Sequence, residues 1–240
     1  MRLTAELINE SLSYINPLKE RELDLRGNKI PTIENLAAAQ HNDAIDLTDN
    51  AISSLGNFPL FPRVTSLYCA RNRINHIAQT LGSSLPRLHT LVLTENNIAD
   101  LVDVVHLRSC RRLVYLTLLE NPIAARENYR LWLIWLIPSL RHLDFIRVRD
   151  AERTAARELF GESFSQPSDA ATKVLAASAQ KGRPLTTAAD DEDEQRPAKR
   201  LKIRMTDEEK ARVEKMVREA TSLKEIERLE RMLAEGRVPG

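Results

Sequence analysis

Between Arg21 and Val148 one short phrase keeps returning, and its return leaves the chain little choice of architecture. The phrase is L-x-L-x-x-N-x-I. Its five copies hold Leu23, Leu25, Asn28 and Ile30; Ile45, Leu47, Asn50 and Ile52; Leu67, Cys69, Asn72 and Ile74; Leu91, Leu93, Asn96 and Ile98; and Leu116, Leu118, Asn121 and Ile123. From Asn28 to Asn121 the asparagines recur at a nearly constant interval. An apolar residue often stands three positions ahead, as Val64, Leu88, Leu113 and Leu140 do. Residues i and i+2 of a strand share a face, so each leucine pair predicts a short strand with both side chains inward. The turn that follows leaves backbone groups shielded from water. An asparagine both donates and accepts, so it can satisfy them from inside. A sixth copy, Leu143, Asp144 and Phe145, has Val148 where the asparagine belongs.

This spelling and period are those of a leucine-rich repeat. One such unit cannot bury its own apolar face, so the predicted fold is an α/β solenoid. It has a curved parallel sheet, helical N- and C-terminal caps and a helical C-terminal tail. Residues 1–18 read as the first cap, a helix over 3–15 with Leu3, Leu7, Ile8, Leu12 and Ile15 at helical spacing, Thr4 as N-cap and Pro17 as its end. Residues 19–149 are the repeats, joined by short extended or single-turn segments. Within them, 128–144 predicts a helix ending before Pro138, then the last strand. Leu131, Ile134, Trp135 and Pro138 would cover the final core layer and Trp132 another face, both tryptophans serving as packing. Residues 150–164 form a second cap helix. Residues 165–204, poor in large apolar side chains, read as a disordered linker. Residues 205–236 read as a helical docking element, with Thr206/Glu209 and Ser222/Glu225 as capping pairs.

Composition narrows the function. A net charge of +1 gives no global field toward nucleic acid or membrane. Two cysteines, Cys69 on an inward strand position and Cys110 in another repeat, make no disulfide framework and point to a reducing compartment. The stretch from Met1 to Asn16 carries Glu6 and Glu10 and no long apolar core, so it does not spell a leader peptide. No phosphate-binding loop, dinucleotide fingerprint, H-E-x-x-H or nucleophile elbow occurs. His41, His76, His89, His106 and His142 are scattered and read as solvated surface. The expectation is a chain that is no enzyme and carries no cofactor or metal.

Function then falls to the outward positions of the sheet. The slots around each strand hold seven acids (Glu22, Asp24, Asp46, Asp49, Glu95, Glu120, Asp144) against Arg26, Arg71 and Arg147. Such a face repels phosphate. Tyr68, Val92, Tyr115, Leu119 and Ile146 are interleaved, which suits a protein partner with a basic, partly apolar surface. The residues expected to hold it are Asp24, Arg26, Asp46, Thr48, Tyr68, Ala70, Val92, Thr94, Tyr115 and Thr117. At the C-terminal edge the charge reverses. Arg147, Arg149 and Arg153, with Arg157 one turn on, could touch phosphates beside that partner. Lys199, Arg200 and Lys202 in a short basic run fit a nuclear-import signal, hence a nuclear location.

The segments "LTAELI", "RELDLRGNKIPTIENL", "DAIDLTDN", "YRLWLIWLIPSLRHLDF" and "ATSLKEIERLERMLAEGRVPG" together resemble the A-prime family of the U2 small nuclear ribonucleoprotein. The resemblance implies a spliceosomal scaffold in pre-mRNA splicing. It would bind the B-double-prime protein, which carries an RNA-recognition motif, through the concave sheet. The pair would recognise a stem-loop of U2 small nuclear RNA, mainly through the partner. Other spliceosomal proteins could dock on the C-terminal helices, and no membrane is involved. The alternatives are a regulatory subunit of a nuclear phosphatase, which shares the repeat and the style of cap, and an acidic nuclear chaperone. The acidic run at 190–194 is short for the latter.

Overall fold

The leucine pairs do form strands, and both members of each pair face one core: Leu23 and Leu25, Ile45 and Leu47, Leu67 and Cys69, Leu91 and Leu93, and Leu116 and Leu118 are all at most 2% exposed. The structure, a computed structural model, describes residues 2–181, with side chains through residue 176. After helix α1 (Ala5–Glu10) come strands β1 (Ser13–Ile15), β2 (Arg21–Asp24), β3 (Ala44–Asp46), β4 (Ser54–Leu55), β5 (Ser66–Tyr68) and β6 (His76–Ile77). Then follow α2 (Leu81–Ser84), β7 (Thr90–Val92), β8 (Tyr115–Thr117), α3 (Tyr129–Leu136), β9 (His142–Leu143), β10 (Ile146–Arg147), α4 (Asp150–Phe160) and α5 (Asp169–Lys181). The main sheet runs β1-β2-β3-β5-β7-β8-β9-β10, and β4 pairs β6 separately. The interior strands are parallel, while β1 and β10 close the two ends antiparallel. Returning segments are short, as expected, with 3-10 turns at Leu36–Ala39, Leu101–Ser109 and Pro122–Ala125.

The asparagines join one coil to the next. The Asn72 side-chain oxygen accepts the Ile52 N–H at 3.0 Å, and its amide donates to the carbonyls of Leu47, Cys69 and Ala70. Asn50, Asn96 and Asn121 repeat this set one coil earlier and later. The residue before each asparagine has a positive φ: Gly27 70°, Asp49 58°, Arg71 54°, Glu95 54° and Glu120 57°. This left-handed step, unfavourable for a side-chain-bearing residue, swings the asparagine inward. Asn28 differs. It has no preceding repeat, and its amide reaches only the Arg26 carbonyl, at 3.2 Å. Asn72→Ala should therefore cost about 1–3 kcal/mol in chemical unfolding, and Asn28→Ala much less. Equal losses at the two positions would contradict this ladder.

Both ends depart from expectation. The first cap is not one helix over 3–15. Thr4 does cap α1, accepting the Leu7 N–H at 3.2 Å. The helix stops at Glu10, where the Ser11 N–H and hydroxyl both turn back to the Leu7 carbonyl. The chain then becomes β1, because the open edge of β2 needs a hydrogen-bonding neighbour. Leu12 and Ile15, assigned to the helix stripe, are 65% and 66% exposed. Pro17 ends no helix; it sits in a turn where the Asn16 side chain accepts the Leu18 and Glu20 N–H groups.

The sixth copy is not a full repeat. Leu143 is inward, but Asp144 and Phe145 have φ of 53° and 63° and form the tight turn of the β9–β10 hairpin. Phe145 is 78% exposed. Helix α3 ends before Pro138 as expected, while α4 begins at Asp150 as expected but stops at Phe160, capped by Gly161 and short of residue 164. Of the tryptophans, Trp132 is the deeper, and Pro138 lies exposed. Trp132 Nε1 donates to the Leu101 carbonyl and Trp135 Nε1 to that of Gly161. Arg130 pairs with Glu152 at 2.6 Å and donates to the Leu143 and Arg147 carbonyls, tying α3, α4 and the hairpin together. The segment from 165 is not disordered throughout, since α5 occupies Asp169–Lys181. Its alanines favour helix. Ser168 caps it, and Ala171, Val174 and Leu175 suffice to dock it on the core. The expected import-like run and the tail helices at 205–236 lie outside the described residues.

Candidate functional site

Strand register gathers the expected concave residues into rows. Asp24, Asp46, Tyr68, Val92 and Thr117 are successive partners across β2, β3, β5, β7 and β8. Tyr115 lies in the neighbouring row Glu22, Ala44, Ser66, Thr90, Tyr115, His142. Arg26, Thr48, Ala70 and Thr94 follow two positions beyond the central row. Their carbonyls from Thr48 onward accept N–H groups from the adjacent coil. All ten expected residues thus occupy one face.

That face is divided. At the N-terminal half Tyr14 donates to Glu22 at 2.7 Å, and the Asn16 amide donates to Glu22 at 2.9 Å. Glu22 is therefore buried and satisfied rather than projecting. Its acceptance of the Tyr14 hydroxyl pushes that phenol up to about 12. Glu20 accepts the hydroxyls of Thr65 and Ser66. Arg26 forks onto Asp24 at 2.6 and 2.9 Å and stands 3.5 Å from Asp46. Its guanidinium holds the Asp24 carboxyl below the ordinary carboxylate range. Asp46 is only 8% exposed, and burial raises its carboxyl despite hydrogen bonding from Thr48. The acids Asp49, Glu95 and Glu120 fall instead at the left-handed turn positions past the strand ends, and Glu95 pairs with Arg71 at 3.2 Å. Asp144 is held in the hairpin by the Tyr129 hydroxyl and the Leu118 N–H. Negative charge on the sheet proper is therefore concentrated in its first half.

The second half is apolar and aromatic. A cleft of about 540 Å³ is lined by Leu18, Tyr68, Val92, Tyr115, His142 and Phe145, among others. Tyr115 stacks on His142 with centroids 4.8 Å apart and an 11° tilt, and His89 approaches Tyr115 from the β7 side at 5.2 Å. His142 Nδ1 is buried without a hydrogen-bond partner. Reading the histidines as scattered surface missed this group. Aligning the copies strand by strand would have found His142, because it occupies the slot of Tyr115 one repeat later.

The C-terminal edge is less uniform than expected. Arg147 and Arg149 are exposed. Arg153 is half-buried, and its guanidinium donates to the Pro138 and Leu140 carbonyls, closing the end of α3. Two arginines, not three, are therefore open to solvent there. Cys69 and Cys110 are buried free thiols, raised by that burial, so they pack rather than react. Among the described residues no group of three or more His, Cys, Asp or Glu side chains could hold a metal. No helix among them is long and apolar enough to cross a membrane.

The leucine-rich repeat family matches residues 1–174. The U2 small nuclear ribonucleoprotein A′ of Aspergillus fumigatus is 55% identical over 240 residues, covering 100% of this chain and 93% of that protein. The Schizosaccharomyces pombe protein of the same name is 43% identical, with 100% of both chains covered. A chain of the Drosophila melanogaster SNF/U2A′ complex crystal structure superposes with a TM-score of 0.67 at 42% identity, covering 74% of this chain and 99% of that one. Identity of this order across the whole length leaves one assignment: the chain belongs to the U2 small nuclear ribonucleoprotein A′ family of leucine-rich repeat proteins.

Proposed function

We propose that this chain is a non-enzymatic nuclear scaffold of the spliceosomal U2 particle. Its concave sheet holds a helix of an RNA-recognition-motif protein of the B-double-prime kind, and that partner reads a stem-loop of the U2 small nuclear RNA. The observation that carries the reading is the division of the concave face. Asp24 and Asp46 stand at one end, and an uncovered cleft of Tyr68, Val92, Tyr115 and Phe145, lined also by Glu20, at the other. A helix with basic residues at one end and apolar anchors at the other satisfies both halves. The relative in the SNF/U2A′ crystal was solved in complex with a second protein, which supports the same reading. The acidic half disfavours phosphate, so RNA contact falls to the partner and to the exposed Arg147 and Arg149 at the edge.

Arg147→Gln with Arg149→Gln should leave capture of the partner intact. The slope of log affinity against log salt for stem-loop binding by the pair should become shallower by about 2. An unchanged slope, measured by anisotropy titration at several salt concentrations, would remove these arginines from the RNA path.

A further inference from the structure

A second basic surface lies away from the concave sheet, where the Leu101–Ser109 turn meets the C-terminal cap. Two adjoining hollows of about 490 and 450 Å³ share Arg108 and Phe164. Arg153 and Arg157 of α4 line the first and Arg111 the second, against one acid, Glu162. The Arg108 guanidinium carbon lies 3.7 Å from the Phe164 ring centroid. Phe164 is itself packed against Trp135, centroids 5.7 Å apart and tilted 30°. A guanidinium held over a packed ring loses little freedom on binding, and its N–H groups remain available for a phosphate contact. Five arginines elsewhere, Arg26, Arg63, Arg71, Arg126 and Arg130, are committed to carboxylates in ion pairs. Arg108, Arg111 and Arg157 form none among the described residues.

We infer that these joined hollows are a phosphate-binding track for a single strand of RNA, engaged through its backbone and without base preference. Planar, unpaired guanidinium groups suit phosphate oxygens two at a time. Helix α4, which supplies Arg153 and Arg157, begins at Asp150, directly after the exposed Arg147 and Arg149. In sequence the helix that lines the track follows directly on the edge where the proposed function brings RNA, and the inference rests on that reading for RNA being near. An acidic peptide would meet the same charges, and the test below distinguishes it. The contacts are few, so the affinity is modest and strongly salt-dependent.

The test is anisotropy titration of a labelled uridine oligomer of about twelve nucleotides with the full chain. It compares Arg108→Gln, Arg111→Gln, Arg157→Gln combined with a control that removes the same charge from the exposed Arg2, Arg73 and Arg87. The track variant should bind at least tenfold more weakly at about 50 mM salt, with a slope shallower by about 2. The control should change little. Capture of the protein partner should be the same for both, and circular dichroism melting should show both folded. Equal weakening in the control, or no weakening in the track variant, would overturn the inference. So would an oligoglutamate peptide that binds more tightly than the RNA and displaces it. If Arg147→Gln with Arg149→Gln proves silent while the track variant loses RNA, the track stands and only the edge assignment falls.

Discussion

Tyr68→Ala combined with Asp46→Lys abolishes capture of the recognition-motif protein while the repeats stay folded. The two side chains are register partners on β3 and β5, at the junction between the acidic and aromatic halves of the face. Tyr68 is a half-buried ring beside the cleft, the kind of rigid anchor that dominates interface energies. Asp46 is nearly enclosed, and a lysine there sets positive charge against the basic end of the incoming helix. Removing the anchor and reversing the charge should together cost on the order of 4 kcal/mol, about a thousandfold in affinity. Neither side chain belongs to the leucine core, and a lysine can carry its ammonium out of the sheet into solvent. Calorimetric titration measures the loss, and thermal melting checks the fold. Binding retained within a few-fold would move the partner off this face.

The second large effect is in the cap. Trp132 is 0% exposed. It meets Phe160 edge-on at 5.1 Å and Trp135 at 5.2 Å, and its Nε1 donates to the Leu101 carbonyl at 2.9 Å. One side chain thus joins α3, α4 and the turn at Leu101–Ser109. Trp132→Ala opens a void that these elements cannot close without parting, and it strips a part-buried carbonyl of its donor. The expected loss is about 3–5 kcal/mol in guanidinium unfolding. Trp132→Phe should fall between, since it restores most of the volume but not the hydrogen bond. An unchanged midpoint for the alanine variant would mean the cap contributes nothing to the cooperative unit.

The repeats were legible because their physics is local and periodic. A leucine pair at i and i+2, a left-handed step and an inward asparagine fit within one short phrase, and copying that phrase at a nearly constant interval leaves one way to stack. The ends were less legible because they answer to partners remote in sequence. Leu12 and Ile15 fit a helix stripe, but the unpaired edge of β2 takes Ile15 into β1 and the Leu12 carbonyl as acceptor of the Asp24 N–H. Nothing in Asp144 and Phe145 announces a hairpin turn in the way that Asn-Gly would. The alanine-rich stretch after 168 looked too poor in apolar residues to order itself, yet it needs only a thin contact because a finished core is already there. The expected concave residues fell on one face because alternation along a strand is reliable. The pairing of Tyr115 with His142 is legible only when the copies are aligned strand by strand, since the whole of α3 and its flanking turns separate the two strands.

In the proposed function the sheet faces protein and leaves nucleotides to the partner. A photo-cross-linking amino acid at Thr94, on the concave face just past the end of β7, tests it most directly in a complex reconstituted with the recognition-motif protein and the labelled stem-loop. A strong cross-link to the protein partner and none to the RNA is expected, with a reporter at exposed Ser83 giving neither. A cross-link from Thr94 to RNA, or partner capture at Ser83 alone, would contradict it.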